Sequence, residues 1–490
     1  MSFYKVYILK LIGLELIDIA FSWERMLIAL FISIFLGFAI GVFCARNRKA
    51  EEIIIPIVDV LQTLPILAFF PFAIYVFVSL IPGDMGKNAA VIFLIITSML
   101  WNIIFGCYES IKTLNKEYLE VAKIYGLGFF DRVRRIYFPA CSDKIAEQAM
   151  LSWSIGLFYL VTSEIFSIGS AQYQITYGIG AAIADFFSSN NFEGYATSLL
   201  MLVIFVILTY FLLFSTMERK AREYLSAPQK KRRLRPPKRA KRKLTELQEN
   251  KVTGKGSKSK YFLLLSLPAV LLLLFPRYEV SSLLSILISG VRIWIAFGIT
   301  SAIALPVSIY VLFFSKKGSL YKVAFQVIAS IPATSMLPLI AMLFSSFALK
   351  GEATALSIYV LSCIWYVIFS VLSNAKTIPF IREVVKVYKV RGAYAWRKIY
   401  LLSVIPGFIT GSITGIAAEW NASIVAEYFQ SQNGTLISSV GIGVGKLLDQ
   451  ALYSSNILLM AIALINMVVA IIFVNKFLWK SLYERLEGRY

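Results

Sequence analysis

Few residues of this sequence have types or spacings that could perform chemistry on their own. Its 490 residues include no histidine, which excludes imidazole general-base catalysis and histidine metal ligation. The segment GIGVGK at 441–446 lacks the glycine spacing of a phosphate-binding P-loop, and Leu447 stands where a Ser or Thr would bind magnesium. We therefore expect no catalytic site and no cofactor within this chain.

The four cysteines do not suggest a metal site or a disulfide framework. They have no paired spacing, and they mostly lie in or beside apolar runs, where a thiol packs as a small apolar side chain. They are Cys44, Cys107, Cys141 and Cys363. We expect all four to be structural, and we expect no metal site.

Two glutamates stand inside or at the end of long apolar runs. Glu164 and Glu427 each lie 14 residues before a Gly-Ile-Gly triplet, at 178–180 and 441–443. An ionisable residue in a membrane-length run is costly and often functional, so both are candidates for a gate or for partner docking. The alternative is that each side chain simply reaches the polar interface of the membrane.

Paired prolines are the second kind of candidate. In each half of the chain, two prolines lie six residues apart in an apolar run, where they are candidates to line a pathway. The alternative is that they only kink helices, with the freed carbonyls satisfied by neighbours. These prolines are Pro65, Pro71, Pro332 and Pro338. Arg25 and Arg292, which precede them in each half, are interpreted as interfacial anchors.

The elements that must position these residues are predicted to be membrane helices. Hydrophobic residues make up 58% of the sequence and charged residues 16%, and the mean hydropathy is +0.72, more apolar than a soluble core requires. Crossing a hydrocarbon layer of about 30 Å takes roughly 20 helical residues. We assign candidate spans at 26–45, 60–83, 88–108, 148–168, 194–217, 261–276, 293–315, 323–349, 353–375, 399–428 and 450–475. The prediction is an all-α integral membrane protein with about eleven spans, five and then six.

Basic segments set the expected orientation of these spans. With eleven spans, the Lys- and Arg-rich segments can all face the cytoplasm and the N-terminus lies outside. The first 22 residues are apolar but carry four charges, so we expect an interfacial helix there and not a twelfth span. The basic, Pro- and Gly-containing stretch 218–260 is predicted to be a solvated cytoplasmic linker. Binding of anionic lipid or nucleic acid by this stretch is the alternative.

The two halves of the chain are copies of each other. Five landmarks recur in the same order at offsets between 263 and 267 residues, which indicates an internal duplication with domains at 1–217 and 261–490. The matched pairs are Arg25 with Arg292, Pro65 with Pro332, Pro71 with Pro338, Gly126 with Gly392, and Glu164 with Glu427. Matched helices run in the same direction, so the repeat is parallel, and we expect a pathway between the halves.

A polar segment between two uncharged runs carries a family resemblance. Residues 118–139, YLEVAKIYGLGFFDRVRRIYFP, resemble the EAA loop in membrane subunits of binding-protein-dependent ABC importers, a pattern of Glu-Ala-Ala, three residues, Gly, and later an apolar residue and Pro. The matching residues are Glu120, Ala122, Gly126 and Pro139. The second copy, 386–406, is degenerate: it keeps Gly392 and Pro406 but has Lys386 in place of the Glu.

This resemblance covers nearly the whole chain and implies two tandem permease domains of the type I importer fold, most similar to the nitrate, sulfonate and taurine branch. It implies two short cytoplasmic helices around each EAA glycine, the first of which docks on an ATPase. The expected partners are two ABC ATPase subunits, which bind ATP and magnesium, an external substrate-binding protein, and membrane lipid, with no nucleic acid. The expected function is a multi-pass permease of the plasma or inner membrane, not itself an enzyme, for a small anion or organic sulfonate.

Two other functions fit a duplicated membrane protein. A secondary carrier with two parallel repeats would take up solute on an ion gradient without a partner. A membrane scaffold or lipid-handling enzyme would need no pathway between its halves. Co-purification with a soluble ATPase favours the importer over both alternatives.

Overall fold

A computed structural model describes most of the two predicted membrane halves. It covers residues 2–62, 66–165, 175–220 except 215 and 218, 267–315, 331–373, 392–430, 436–454 and 456–474, with scattered positions at 321–329 and 381–388. Pro65, Lys386 and most of the predicted linker lie outside the described residues. The described part is helical apart from one two-stranded hairpin, which confirms the all-α membrane fold class.

Nine α-helices lie in the described part of the first half. They are α1 (Ser2–Arg46), α2 (Arg48–Leu61), α3 (Phe70–Leu80), α4 (Asp84–Lys112), α5 (Lys116–Ile124), α6 (Phe129–Arg132), α7 (Phe138–Ile165), α8 (Ile179–Ser188) and α9 (Phe192–Thr209). A 3₁₀ turn at Ile66–Phe69 leads into α3, and π-helical segments join α6 to α7 and extend α9.

The second half repeats this order. Its helices are α10 (Pro276–Ile309), α11 (Leu337–Leu343), α12 (Lys350–Ser373), α13 (Gly392–Ala395), α14 (Leu401–Ala426), α15 (Val444–Tyr453) and α16 (Ile457–Phe473). A 3₁₀ turn at Ala333–Met336 leads into α11, and a π-helical segment joins α13 to α14. Residues 267–274 are also helical and end at Phe275, just before α10. The domain limits at 217 and 261 stay predictions.

Six helices of the described part are long and apolar enough to cross a membrane. They are Gly13–Arg46, Asp84–Lys112, Phe192–Phe214, Pro276–Phe314, Lys350–Leu372 and Trp396–Ala426. Each overlaps one of the predicted spans. The full count of eleven stays a prediction.

Helix α1 is longer than the sequence suggested. It runs 45 residues without a break, about 68 Å at 1.5 Å per residue, so no boundary separates the first 22 residues from the first predicted span. The interfacial position of those residues stays a prediction. Helix α10 likewise runs through the residues that were predicted to connect the spans at 261–276 and 293–315. The polar residues that suggested these boundaries are buried: Glu15 accepts a hydrogen bond from Ser198, and Glu279 accepts one from Asn466.

Small residues let the long helices pack closely. A Cβ added at Gly37 or Gly41 of α1 would lie 2.7 Å from a side-chain atom of Ile103 or Cys107 on α4. In the second half, a Cβ at Gly411 of α14 would lie 2.7 Å from the backbone of α12. Close approach at glycines is a usual device of membrane helix pairs, where lipid supplies no hydrophobic drive for association.

The hairpin follows the end of α14. Strand β1 (Tyr428–Gln430) pairs antiparallel with β2 (Leu436–Ser439), and the Val440 amide donates to the Glu427 carbonyl at 3.0 Å. No strand was expected from the sequence. The hairpin carries the chain from Glu427 to helix α15, so it sets the position of the glycines that follow.

Candidate functional site

The first EAA-like segment forms the predicted helix, glycine and helix. Helix α5 ends at Ile124, two residues before Gly126, which adopts φ +63°, and the Leu127 amide donates to the Ala122 carbonyl at 2.9 Å. This bond from the residue after the glycine back into the last turn is the Schellman arrangement, which favours Gly at the left-handed position. Glu120 is exposed, Ala122 is fully buried, and Pro139 is the second residue of α7.

The second copy keeps the glycine conformation. Gly392 adopts φ +74° at the start of α13, so both EAA-like glycines occupy the left-handed region. Pro406 is not the structural match of Pro139, because it lies inside α14, four residues further from the π-helical segment.

Large apolar side chains project from the first segment into solvent. Ile124 is 81% exposed and Phe130 is 84% exposed, and Tyr125 and Phe129 beside them are also exposed. A contiguous apolar patch of this kind, flanked by charged residues, usually marks a protein interface. Sequence reasoning named Glu120, which borders this patch, and missed the aromatic residues, whose exposure only the fold reveals.

The candidate prolines flank two 3₁₀ turns. Pro332 precedes the turn Ala333–Met336, and Pro338 is the second residue of the helix that follows. Pro71 occupies the same place in α3, after the turn Ile66–Phe69. Proline is tolerated in the first turn of a helix because its missing N–H would have no intrahelical partner there. The alternative that Pro71, Pro332 and Pro338 kink continuous helices is therefore wrong.

The same 3₁₀ turns form the contact between the halves. The second turn packs on α7, where the Thr162 hydroxyl donates to Thr334 Oγ1 at 3.0 Å, and the Tyr195 hydroxyl of α9 donates to the Ser335 carbonyl at 2.9 Å. Likewise, the first 3₁₀ turn, Ile66–Phe69, packs on α14 of the second half. Each half thus inserts a short irregular turn against the long central helix of the other.

In the first half, Glu164 lies at the centre of a buried polar cluster. Arg25 forms a salt bridge to it, with Nη1 to Oε1 at 2.6 Å, and also donates to Asn88 Oδ1 and the Tyr177 carbonyl. The Ser22 hydroxyl donates to the same carboxylate at 2.8 Å. The Gly180 amide, in the first turn of α8, donates to Oε2 at 2.9 Å.

The second half builds the same cluster around Glu427. Arg292 Nη1 lies 3.1 Å from Glu427 Oε1, and the Gly445 amide of α15 donates to Oε2 at 2.8 Å. Glu352 takes the place of Asn88 and accepts from Arg292 Nη2 at 2.7 Å, while Tyr359 donates its hydroxyl to Glu427 at 2.9 Å. The second carboxylate of each cluster stands at a different place: Asp18 accepts from the Gly178 amide at 3.0 Å in the first half, and Glu352 accepts from Arg292 in the second.

These clusters correct the interpretation of both arginines. Arg25 and Arg292 are 5% and 6% exposed and pair with buried glutamates, so they are not interfacial anchors. The alternative that Glu164 and Glu427 only reach the membrane interface is wrong for the same reason.

The glycine triplets match in a different register from the predicted one. The partner of Gly178-Ile-Gly180 is Gly443-Val444-Gly445, two residues beyond the Gly-Ile-Gly at 441–443. A Cβ at Gly178 would lie 2.5 Å from the Glu164 carboxyl carbon, and one at Gly443 would lie 2.3 Å from Glu427 Oε2, whereas Gly441 has nothing within 4 Å.

Each carboxylate caps a short helix. The first amides of a helix have no intrahelical acceptor, and Glu164 and Glu427 accept one such amide at the start of α8 and α15. The arginine offsets the cost of burying each carboxylate. The arrangement fixes α8 and α15 against the long helices. The role of Glu164 and Glu427 in gating or docking stays a prediction. In the described part of the chain no group of cysteine and acidic side chains could hold a metal ion.

Comparisons with known proteins agree with this architecture. Residues 37–223 match the family described as binding-protein-dependent transport system inner membrane component. The chain is 23% identical over 190 residues to the nitrate import permease protein of Synechococcus elongatus, covering 39% of this chain and 63% of that protein. It is 31% identical over 166 residues to the choline transport system permease protein of Bacillus subtilis, covering 32% of this chain and 73% of the relative. It is 25% identical over 190 residues to a glycine betaine transport system permease protein of Bacillus subtilis, covering 36% of this chain and 64% of that protein.

The matched region is only part of each protein. The chain spans 63% and 57% of the length of the two nitrate permeases it matches. The match nevertheless includes helices α4, α7 and α9, the first EAA-like segment and the Glu164 cluster except for its α1 members Ser22 and Arg25. With its apolar helices, the chain is a multi-pass protein of the cell membrane and belongs to the family of binding-protein-dependent transport system inner membrane components.

Proposed function

We propose that this chain is the fused permease of an ABC importer and that its two halves form one solute pathway. The observation that carries the proposal is the reciprocal contact in which each 3₁₀ turn packs on the central helix of the other half. Non-helical backbone at membrane depth is tolerated where it is buried in protein or lines a cavity. The turns are therefore the part of the bundle best suited to open and close a path.

Two ABC ATPase subunits are the proposed partners at the EAA-like ends, and ATP and magnesium bind to those subunits. Support comes from the exposed apolar patch around Ile124 and Phe130 and from the left-handed glycines of both copies. A substrate-binding protein would dock at the opposite end, where α8, α15 and the hairpin lie. This chain then hydrolyses no ATP itself.

The proposed solute is a small anion or an organic sulfonate. Relatives named as nitrate import and bicarbonate transport permeases support this class. Other relatives carry choline and glycine betaine in their names, which makes a quaternary ammonium compound the competing solute.

Reconstitution tests the proposal. The chain is placed in liposomes with its ATPase and binding protein, and uptake of labelled nitrate, taurine, choline and glycine betaine is measured with ATP inside or outside. Uptake that requires both partners and ATP supports the importer, and the solute taken up assigns the class. Uptake by this chain alone on an ion gradient would establish a secondary carrier and reject the importer.

A further inference from the structure

A buried carboxyl without a partner lies in the second half. Glu419 on α14 is 0% exposed, and neither of its carboxyl oxygens has a hydrogen-bond partner among the described residues. It lies eight residues before Glu427, about 12 Å along the helix, within the apolar helix Trp396–Ala426. This residue lies inside the predicted span at 399–428 and was not among the candidate site residues.

Two helices of the same half pack around this carboxyl. The Cys363 thiol of α12 lies beside it, and Gly415, one turn earlier on α14, approaches so closely that a Cβ there would lie 2.5 Å from Cys363 Sγ. Thr300 of α10 is fully buried next to Cys363, and its hydroxyl has no partner in the described residues. The Cys363 thiol therefore lies beside the carboxyl, and the Thr300 hydroxyl lies beside that thiol.

The cations on the described helices around this carboxyl have other partners. On α15, which packs on α14, Lys446 donates to the carbonyls of Val440 and Gly441. On α10 the only charged residue between 290 and 309 is Arg292, and it is paired with Glu352 and Glu427. On α12 the nearest titratable neighbour beyond Cys363 is Tyr366, one turn further along. The first 3₁₀ turn, Ile66–Phe69, which also packs on α14, is apolar. Within the described part of the chain, Glu419 thus forms no salt bridge.

The first half shows that packing does not require a carboxyl at this position. Gly156 stands in the place of Glu419, Met99 in the place of Cys363, and Ser33 in the place of Thr300. A Cβ at Gly156 would lie 2.3 Å from Met99 Cε, so the methionine of α4 fills the space that the glutamate of α14 fills in the second half. In the first half the larger side chain of the pair, Met99, is on α4 and faces a glycine of α7. In the second half the larger side chain, Glu419, is on α14 and faces the smaller Cys363 of α12. Only the second half therefore has an acidic residue at this position.

An isolated ionised carboxylate in such a place is strongly disfavoured, because neither water nor a cation solvates it. A carboxylic acid is neutral and can donate its hydroxyl to a nearby thiol or hydroxyl oxygen. We propose that Glu419 is a proton-binding site built into the second half, with the proton held while α10, α12 and α14 are packed as described. When water reaches the site, the O–H bond breaks, the proton passes to water, and the carboxylate is left hydrated.

This site links proton release to conformation, and that link rests on the proposed transport function. A conformation in which α14 separates from α12 hydrates the carboxyl and lets it ionise, so rising pH favours that conformation. The first half, with Gly156, contributes no such dependence.

Infrared spectroscopy of the purified chain in lipid nanodiscs tests the proton directly and needs no transport. At neutral pH the wild type should show a carboxylic acid C=O band that Glu419→Gln lacks. Glu15 and Glu279 also have one unpartnered oxygen each, so the difference between wild type and variant is the relevant quantity. Spectra that are identical in the acid region would overturn the proposal, whether or not the chain is an importer.

The pH dependence of substrate-stimulated ATP hydrolysis in the reconstituted complex tests the link to conformation. Glu419→Gln mimics the protonated acid permanently, so its rate should lose the pH-dependent part that the wild type shows. The double variant C363M/E419G transplants the side-chain pair of the first half and controls for packing; it should keep the wild-type melting temperature and share the flat profile. A Glu419→Gln profile that follows the wild type would overturn the link.

Discussion

At the residue scale, the two buried glutamates show how one carboxylate can satisfy several groups. Glu164 accepts from a guanidinium, a serine hydroxyl and a helix amide at once, and Glu427 accepts from a guanidinium, a tyrosine hydroxyl and a helix amide. A buried ion pair is weak evidence of net stability, yet removal of one partner leaves the other charge uncompensated. The clusters should therefore be sensitive to single substitutions and much less sensitive to paired ones.

The first prediction concerns the Arg25–Glu164 pair. Arg25→Met should destabilise the chain by about 3 kcal/mol or more, because it leaves the Glu164 carboxylate buried without a cation. The double variant R25M/E164Q should recover part of that loss, since the amide is neutral. Thermal unfolding in detergent measures both. Arg48→Met, which breaks an exposed pair with Glu52, is the matched control and should leave the transition unchanged. Equal losses for the buried and exposed pairs would contradict this account.

The second prediction tests the glycine register. Gly443→Ala should displace the Glu427 carboxylate and lower both stability and transport, since the new Cβ would lie 2.3 Å from a carboxylate oxygen. Gly441→Ala, only two residues away, has open space for a Cβ and should behave as wild type. Melting temperature and uptake are the measurements. A larger loss for Gly441→Ala than for Gly443→Ala would instead support the Gly-Ile-Gly at 441–443 as the match of residues 178–180.

Sequence patterns located these residues better than they explained them. Glu164 and Glu427 stand out because charges are rare in apolar runs, but their partners lie on other helices and leave no local signal. Arg25 is 139 residues from Glu164, and only the packing of α1 on α7 brings them together. The register error has a local cause, because the chain between Glu427 and its capping glycine Gly443 is two residues longer than the chain between Glu164 and Gly178.

At the element scale, the EAA-like segments depend on backbone shape more than on side-chain contacts. Neither Gly126 nor Gly392 has a neighbour within 4 Å of the place where a Cβ would stand, so the only demand on each residue is its positive φ. The left-handed region costs an ordinary residue roughly 1 kcal/mol, and asparagine tolerates it better than most. A β-branched residue is the least tolerant.

A third prediction follows for Gly126. Gly126→Val should largely abolish substrate-dependent ATP hydrolysis in the reconstituted complex, because the chain can no longer turn from α5 into α6. Gly126→Asn should keep most of it. ATPase assays with and without loaded binding protein measure the coupling, and co-purification of the ATPase shows whether docking is lost. Normal coupling in the valine variant would remove the segment from the coupling role.

The length of the apolar runs and the position of charges predicted where the long spans lie, but not where helices continue. The boundaries proposed near residue 22 and between 276 and 293 failed because buried polar residues such as Glu15 and Arg292 are satisfied by partners on other helices. The 3₁₀ turns were visible only as paired prolines. That signal gave the location of the turns, the alternative of a simple kink was wrong, and the pathway role of the prolines stays a prediction.

A fourth prediction concerns the contact between the halves. The hydroxyl oxygens of Thr162 and Thr334 are 3.0 Å apart, so cysteines at both positions should form a disulfide under mild oxidation. If the turns must separate during transport, oxidised T162C/T334C should lose uptake, and a reductant should restore it. The single variant T162C controls for oxidation of the native cysteines, all of which are buried. Full uptake by the oxidised double variant would show that the turns do not move apart.

At the scale of the whole molecule, the two halves share one plan and differ in charge. Glu352 replaces Asn88 beside the second arginine, and Glu419 replaces Gly156 in the core, where it adds a fully buried carboxyl. The EAA-like segment of the first half has the glutamate of the family pattern, Glu120, whereas the segment of the second half has Lys386 at that position. Because the two halves are fused in one chain, each half always packs on the other half and never on a copy of itself. The two halves can therefore differ in sequence at matched positions.

The last prediction is the stoichiometry of the complex. The turn Ile66–Phe69 finds its partner on α14 and the turn Ala333–Met336 finds its partner on α7, so both contacts of the pseudo-symmetric pair close within one chain. A second copy would have no equivalent surface left to pair with. Native mass spectrometry of the complex purified with its ATPase should show one copy of this chain and two ATPase subunits, with the ATPase expressed alone as the mass control. A complex with two copies of this chain would mean that the pathway lies between chains, and it would overturn the assignment of the pathway to the contact between the halves.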